Sequence, residues 1–484
     1  MPTLGIDVGT QSLKAAIFDD AMHLRGSGSV RYQPSLPQPG WAEQDPQLWL
    51  DALGPAIAGA LHVSGFAGAE ITALCVCGQL DGCVPTSANG SPLAPAIIWM
   101  DRRASPLLDE MDPALVRERC GLVLDATHMG GKIAWFDRNL PERQAVATWH
   151  QPVTFVVEAL TRERAMSASL ASTTMLYDLS AAGWDDELAD AFGARASELP
   201  RIGFEAEIAG RLSVRGAALT GLPAGVPVAM GTGDDFSNLI GCGICAPGVV
   251  GVSLGTAHAV GALEGQDKRD SEMLVETHAF PGGLFHLGNP GWLGGGSVKW
   301  AAALLGIASD AAFVAMAATA PAGSDGLVFI PALSGSMSPK WIANARGSFI
   351  GMTLSHGPAH VARAVLEGCA FAMRDVVERL DMLGVPTPRL RIMGGGSQSA
   401  LWCQIHADVV QRPTEALAEN DASAAGAAVL AAVAGGIVPD IGSGARALAL
   451  PLVALEPNAT ARAAYDDAHG RYREMFAALE PVWR

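Results

Sequence analysis

A chain of 484 residues, 49% hydrophobic and 17% charged, is too long for one ordinary core and too apolar to be disordered. Its formal net charge of −17 excludes the electrostatic footprint of a nucleic-acid binder, so any bound phosphate must be held by local amides, a lysine or a metal. Eight irregularly spaced cysteines do not make the framework of a small secreted domain, the first residues carry no basic-then-apolar leader, and the charge-free run 422–439 is too Ala- and Gly-rich for a membrane span; a reduced cytoplasm is the expected setting.

Strand-like runs bounded by Gly or Pro alternate with Ala-rich helical stretches, the pattern of an α/β protein. In chain order, 4–7 and 14–18 read as strands flanking a Gly9-Thr10 turn, 45–61 as a helix and 71–76 as a strand. The strand 226–230 runs into Gly231-Thr232-Gly233-Asp234-Asp235. Next come a strand at 249–254 with its Gly255-Thr256 turn, a helix at 297–305 after three glycines, a strand at 327–330 and a long helix at 358–383. A strand at 390–393, the glycines 394–396 and helices at 400–410 and 422–434 complete the pattern, with an amphipathic stretch over 458–479. The strand, Gly-Thr turn and second strand of the N-terminus recur about 245 residues later at 251–263, as one supersecondary unit opening each of two lobes. The expected division is therefore 1–246 and 247–440, with a helical segment 441–484 packed on the lobes and a ligand cleft between them.

No GxxxxGK[ST] loop is present, since Gly131-Lys132 is followed by Ile133. Other turns must cradle phosphate. Asp7-Val8-Gly9-Thr10-Gln11 offers turn amides, the Thr10 hydroxyl and an acid that can hold Mg²⁺ directly or through water, although an acid ending a strand also serves as a turn cap. Gly255 and Thr256 supply matching donors from the second lobe. Gly395 and Gly396, just before the helix that opens at Ala400, let a flat ligand or phosphate approach closely, and Gly295 with Lys299 repeats the design. Of the adjacent acids, Asp234 is placed to accept the proton of an attacking hydroxyl, and Asp235 to hold sugar hydroxyls.

The segment Gly347-Ser348-Phe349-Ile350-Gly351-Met352, followed after seven residues by His360-Val361-Ala362-Arg363-Ala364-Val365-Leu366-Glu367, resembles the C-lobe signature of the FGGY carbohydrate kinases, a branch of the sugar kinase, Hsp70 and actin superfamily. Lys132 to Asn139 matches the latter part of their N-lobe signature, with Thr127-His128-Met129 departing from it. The resemblance implies two actin/hexokinase-like (ribonuclease H-like) lobes, ATP and Mg²⁺ as cofactors and a homodimer. It implies Asp234 as catalytic base, Asp7 as the metal-associated acid, Asp235 and Asp101 as sugar ligands, and Thr256, Gly395 and Gly396 as nucleotide contacts. The stretch Pro39 to Pro46 is similar to the pentulose kinases, its Trp41 near the sugar entrance.

Within the family the chain is most similar to the xylulose kinases, which implies phosphorylation of D-xylulose to D-xylulose 5-phosphate. Those enzymes carry Gln-Met-His-Gly where this chain has Gln79-Leu80-Asp81-Gly82; Gln79, Leu80 and Asp81 are the expected sugar contacts, and the hydroxyls satisfied at Asp81 should differ, a carboxylate accepting only. Ser334 to Pro339 likewise replaces a Gly-Glu-Arg-Thr-Pro stretch. The alternatives are a kinase of ribulose, xylitol, erythritol or glycerol, and a sugar-sensing ATPase of the same fold without kinase activity.

Overall fold

The computed structural model describes residues 1–418 and 422–483. Apolar residues on both sides of Gly9-Thr10 make an antiparallel hairpin of β1 (Thr3–Val8) and β2 (Ser12–Phe18), closed by the Gly9 N–H donating to the Ser12 carbonyl at 3.0 Å. β3 (Leu24–Arg31) pairs antiparallel with β2. On the other edge of β1 lies β4 (Ala73–Gly78), parallel to it and buried at every position, as expected where both faces of a sheet are covered. β5 (Ile208–Arg211) and β6 (Pro227–Gly233) complete a six-stranded sheet in the order β5-β6-β4-β1-β2-β3. α1 (Pro46–Ser64), capped by Asp45 with Pro46 in its first turn, lies against β2 and β3. α2 (Met129–Asn139), α3 (Pro152–Thr161) and α4 (Asp234–Gly241) follow in chain order.

The second unit is built the same way. Its sheet and the helices around it are β7 (Val250–Leu254), β8 (Ala257–Glu264), β9 (Glu276–Phe280) and β10 (Leu284–Leu293), whose shared end over 278–285 groups with the first unit, then α5 (Gly295–Leu304), α6 (Pro358–Met382), β11 (Leu390–Met393), α7 (Ala400–Val410) and β12 (Thr414–Leu417). After α8 (Ala422–Ala434), taken up below, come β13 (Leu452–Leu455) and α9 (Arg462–Trp483). The sheet order is β9-β10-β8-β7-β11-β12-β13. β7 is antiparallel to β8 and parallel to β11, β11 is parallel to β12, and β12 is antiparallel to β13. β1 stands in the same relations to β2, β4, β6 and β5. The short repeat visible in the sequence is thus one end of a five-strand repeat, and the fold is a two-domain α/β architecture.

The chain does not divide at single points. Residues 1–245, 278–285 and the described part of 421–449 form one compact unit; the rest forms the other. Two expectations are corrected here. The charge-free helix α8 packs on β1 and α4 of the first unit, not on the sheet beside it in sequence, and 441–484 is no separate segment, because β13 is the edge strand of the second sheet. An Ala/Gly helix is small on every side, so its composition does not say which sheet it covers. Packing this close needs glycine: a Cβ on Gly426 would stand 2.0 Å from the Ser237 carbonyl oxygen, and one on Gly5 2.0 Å from that of Ala424. Gly426→Val should therefore destabilise the protein by about 1–3 kcal/mol or more, read as a lowered urea midpoint; an unchanged midpoint would mean α8 is not seated as described.

Candidate functional site

In an open α/β sheet the carboxyl ends of parallel strands collect ligand-binding groups, and here they collect acids. Asp7 on β1 is in register with Cys77 on β4, and Cys77 with Thr232 on β6. The register of β6 against β4 slips between Ala229 and Thr232, where Gly231 takes φ 80° and a Cβ would meet the Val76 carbonyl at 1.9 Å. This bulge re-aims the strand end so that Asp234 opens α4. The Asp235 N–H donates to Asp234 Oδ1 at 3.1 Å. Burial, then Asp235, then Asp7 push the Asp234 carboxyl well above the usual carboxylate range. Asp235 keeps solvent-accessible surface although protein surrounds its carboxyl; burial, with Asp81 adding, pushes it up to about 6. A group of oxygens crowded in this way can hold a proton or a hard cation.

A set of side chains fixes the first Gly-Thr turn. Tyr32 Oη donates to the Gly9 carbonyl at 2.8 Å, Trp99 Nε1 to Thr10 Oγ1 at 3.0 Å and Gln44 Nε2 to the Thr10 carbonyl at 2.8 Å, while Gln11 is exposed beside them. Gln79 Nε2 in turn donates to Gln44 Oε1 at 2.7 Å, and the buried Oε1 of Gln79 has no hydrogen-bond partner among the described residues. Leu80 packs on Gly233, where a Cβ would lie 2.0 Å from its Cδ2.

Asp81 takes φ 62° and is nearly buried, its N–H held by Gln151 Oε1 at 3.1 Å. Its Oδ1 lies 3.5 Å from His128 Nδ1. His128 precedes α2, and the loop carrying it is tied to that helix by Lys132, which is wholly buried and donates to the carbonyls of Ala126 (3.1 Å), Thr127 and His128 (3.4 Å). Burial pulls the Lys132 ammonium down to about 8, opposed first by Asp81. Asp101 behaves otherwise than the resemblance implies. Ala42 N donates to its Oδ2 at 2.6 Å, Arg103 N and Nε donate to its oxygens at 2.9–3.0 Å, and Arg103 Nη2 is ion-paired 2.7 Å from Oδ2, so this buried carboxylate is engaged at both oxygens by the protein itself. Its work is to anchor Arg103, whose guanidinium lies 3.6 Å over the Trp41 ring.

On the second unit the Gly255-Thr256 turn is exposed at Thr256. The N–H groups of Gly295 and Gly296 donate to the Gly255 and Thr256 carbonyls at 3.0 and 3.1 Å, so Gly295 buttresses the turn and has no N–H left for phosphate, a second correction. Lys299 is exposed one turn along α5. Gly394 takes φ 86°; Gly395 faces open space, whereas a Cβ on Gly396 would strike Leu254 and Trp402. A cavity of about 170 Å³ adjoins these glycines, lined by Gln398, Ala400, Cys403, Ala416, Ala418 and Val453 among others. In place of the missing Glu-Arg stretch, Ser336 Oγ donates to the Ser338 carbonyl and Ser338 Oγ to that of Ala372, both at 2.8 Å.

Sequence reading placed the acids and the glycine turns but missed Tyr32, Gln44, Arg103, His128 and Gln151 as parts of the site. One signal was available: a lysine in the otherwise apolar run Met129 to Phe136 needs buried oxygen partners.

The chain matches the model of the FGGY family of carbohydrate kinases, N-terminal domain, over residues 3–241 and that of the C-terminal domain over 250–435. It is 32% identical over 444 residues to a glycerol kinase of Thermococcus onnurineus, covering 89% of this chain and 88% of that protein. It is 33% identical over 461 residues to one of Gloeobacter violaceus, covering 90% and 89%. Among solved structures, the xylulose kinase from Rhodospirillum rubrum superposes with a TM-score of 0.93 at 30% identity, covering 100% of both chains.

Lys132→Met should lower stability by about 2 kcal/mol or more by removing the donor from three carbonyls, two of them buried, measured by urea unfolding. An unaltered midpoint would show that the ammonium does not tie down the His128 loop.

Proposed function

We propose that this chain, which belongs to the FGGY family of carbohydrate kinases and is an ATP-dependent kinase of a small-molecule acceptor, phosphorylates the terminal hydroxyl of a neutral polyhydroxy compound, D-xylulose foremost. Asp234 accepts the hydroxyl proton as the acceptor oxygen bonds to the γ-phosphorus and the bond to the β–γ bridging oxygen breaks, releasing ADP. Burial and two neighbouring acids raise its proton affinity toward the range where a base is effective near neutral pH. By sequence motif and resemblance to the family, Thr10, Gln11, Thr256, Gly395, Gly396, Ala400 and Lys299 are the residues assigned to the nucleotide. The all-oxygen donor set at Asp7 suits Mg²⁺, held directly or through water, which when bound neutralises phosphate charge.

The observation that carries the xylulose reading is the Asp81–His128 pair. The xylulose kinases supply an imidazole from the Gln-Met-His-Gly motif; here that position is Asp81, and His128 brings an imidazole beside it from the start of α2. Together they offer an acceptor and a donor where Asp81 alone would only accept. The buried Gln79 Oε1 adds an acceptor, Asp235 a carboxylate. No cation is included in this set, so sugar acids fit it poorly. A second reading, glycerol as acceptor, is favoured by the glycerol kinases 32–33% identical to the chain.

Two results are expected. In ADP-release assays over D-xylulose, D-ribulose, xylitol, erythritol, glycerol and gluconate, kcat/KM should be highest for D-xylulose and negligible for gluconate; a maximum at glycerol would establish the second reading, and ATP hydrolysis indifferent to every acceptor would overturn both. Asp234→Asn should reduce kcat by at least about 10²-fold with the thermal midpoint retained. For pH, the acid must be deprotonated to work and its proton affinity is raised, so the rise of kcat/KM with pH should fall well above the ordinary carboxylate range. Asp235→Asn removes one repelling charge and should move that limb to lower pH; a limb that stays put would contradict the electrostatic account.

A further inference from the structure

Away from this site, α6 and α9 of the second unit carry a cluster that phosphoryl transfer does not use. Asp375 and Glu378 stand one turn apart on α6, His469 faces them from α9, and one donor atom of each lies within 4.8 Å of the others. The Asp375 and His469 side chains are only 2% and 5% exposed. His469 Nε2 is 2.9 Å from Asp375 Oδ1. Tetrahedral ligands on a metal with bonds of about 2.1 Å stand roughly 3.4 Å apart, so this hydrogen-bonded pair would need to part by about half an ångström to hold one.

A second observation points to a ligand. Asp375 Oδ2 is buried and has no hydrogen-bond partner among the described residues. The nearby cation does not satisfy the carboxylates: Arg473 stands 3.7 Å from Asp375 and 3.6 Å from Glu378, beyond hydrogen-bond reach, and its side chain is 59% exposed. Its two ion pairs to the carboxylates are long, and its side chain is more than half exposed. Arg374 hydrogen-bonds Oε1 of Glu378 at 2.7 Å, whereas Oε2 has only the longer ion pair to Arg473, which a bound metal would replace.

We propose that Asp375, Glu378 and His469 form a binding site for a divalent transition metal of the Zn²⁺ type, clamping α9 onto α6, with water completing the coordination. One imidazole and two carboxylates suit Zn²⁺ better than Mg²⁺, which keeps its own water shell and prefers oxygen. The proton on His469 Nε2 moves to Nδ1, and Nε2 and Asp375 Oδ1 exchange their hydrogen bond for bonds to the metal. Binding then supports the fold, because only the folded chain brings the two helices together.

The test uses full-length protein stripped with chelator and titrated calorimetrically with ZnCl₂, with thermal melts alongside and MgCl₂ as control. One Zn²⁺ should bind per chain and raise the melting temperature, with no comparable effect of Mg²⁺. Glu378→Gln leaves the Asp375–His469 hydrogen bond in place, should melt as wild type without metal, and should weaken Zn²⁺ binding at least tenfold; His469→Gln should abolish it. Absence of saturable uptake, or uptake unchanged in both variants, would overturn the proposal.

Discussion

Like charges held together at the carboxyl ends of parallel strands set the terms for the rest of this molecule. Asp7, Asp234 and Asp235 come from the ends of β1 and β6 and act on one another strongly enough to raise the Asp234 carboxyl. Two unit charges 4 Å apart repel by about 4 kcal/mol at an effective dielectric constant of 20, so a backbone free to relax would spread them. It is not free to relax. The same repulsion that burdens the fold gives Asp234 the proton affinity a base needs and makes a cation welcome beside Asp7.

The frame that resists this spreading is assembled from distant parts of the chain. Gly231 admits the bulge that turns Asp234 into the first residue of α4. α4 is gripped by α8, nearly two hundred residues later, through Gly426 against Ser237 and through Ser237 Oγ donating to the Ser423 carbonyl at 2.7 Å. α8 also lies on β1, which ends near Asp7. One Ala/Gly helix therefore sets both acids, which explains why its side chains must be small and why a sequence-order division of the chain misassigns it.

Much of this was legible in the amino-acid sequence where local chemistry decides. The hairpins at Gly9-Thr10 and Gly255-Thr256 follow from turn residues between apolar strands, and α7 and α8 occupy the ranges that Ala-rich periodicity indicates. The adjacent acids after Gly233 announced themselves as chemistry. What could not be read was pairing across the fold. Asp101 looks like an available carboxylate until Arg103 and the Ala42 amide are found on both its oxygens, and Gly295 looks like a phosphate donor until its N–H is found on the Gly255 carbonyl. His128 is silent in sequence because its meaning lies in Asp81, 47 positions earlier and held in a left-handed conformation by Gln151. Lone-pair accounting of this kind needs coordinates.

The measurement that bears most directly on the central claim is a crystal structure of the Asp234→Asn protein with D-xylulose and a non-hydrolysable ATP analogue. The account predicts the terminal hydroxyl about 2.6–3.2 Å from the residue-234 side chain, with Asp81 and His128 on other hydroxyls of the same sugar. A sugar bound out of reach of residue 234, or bound with Asp81 and His128 both untouched, would contradict it.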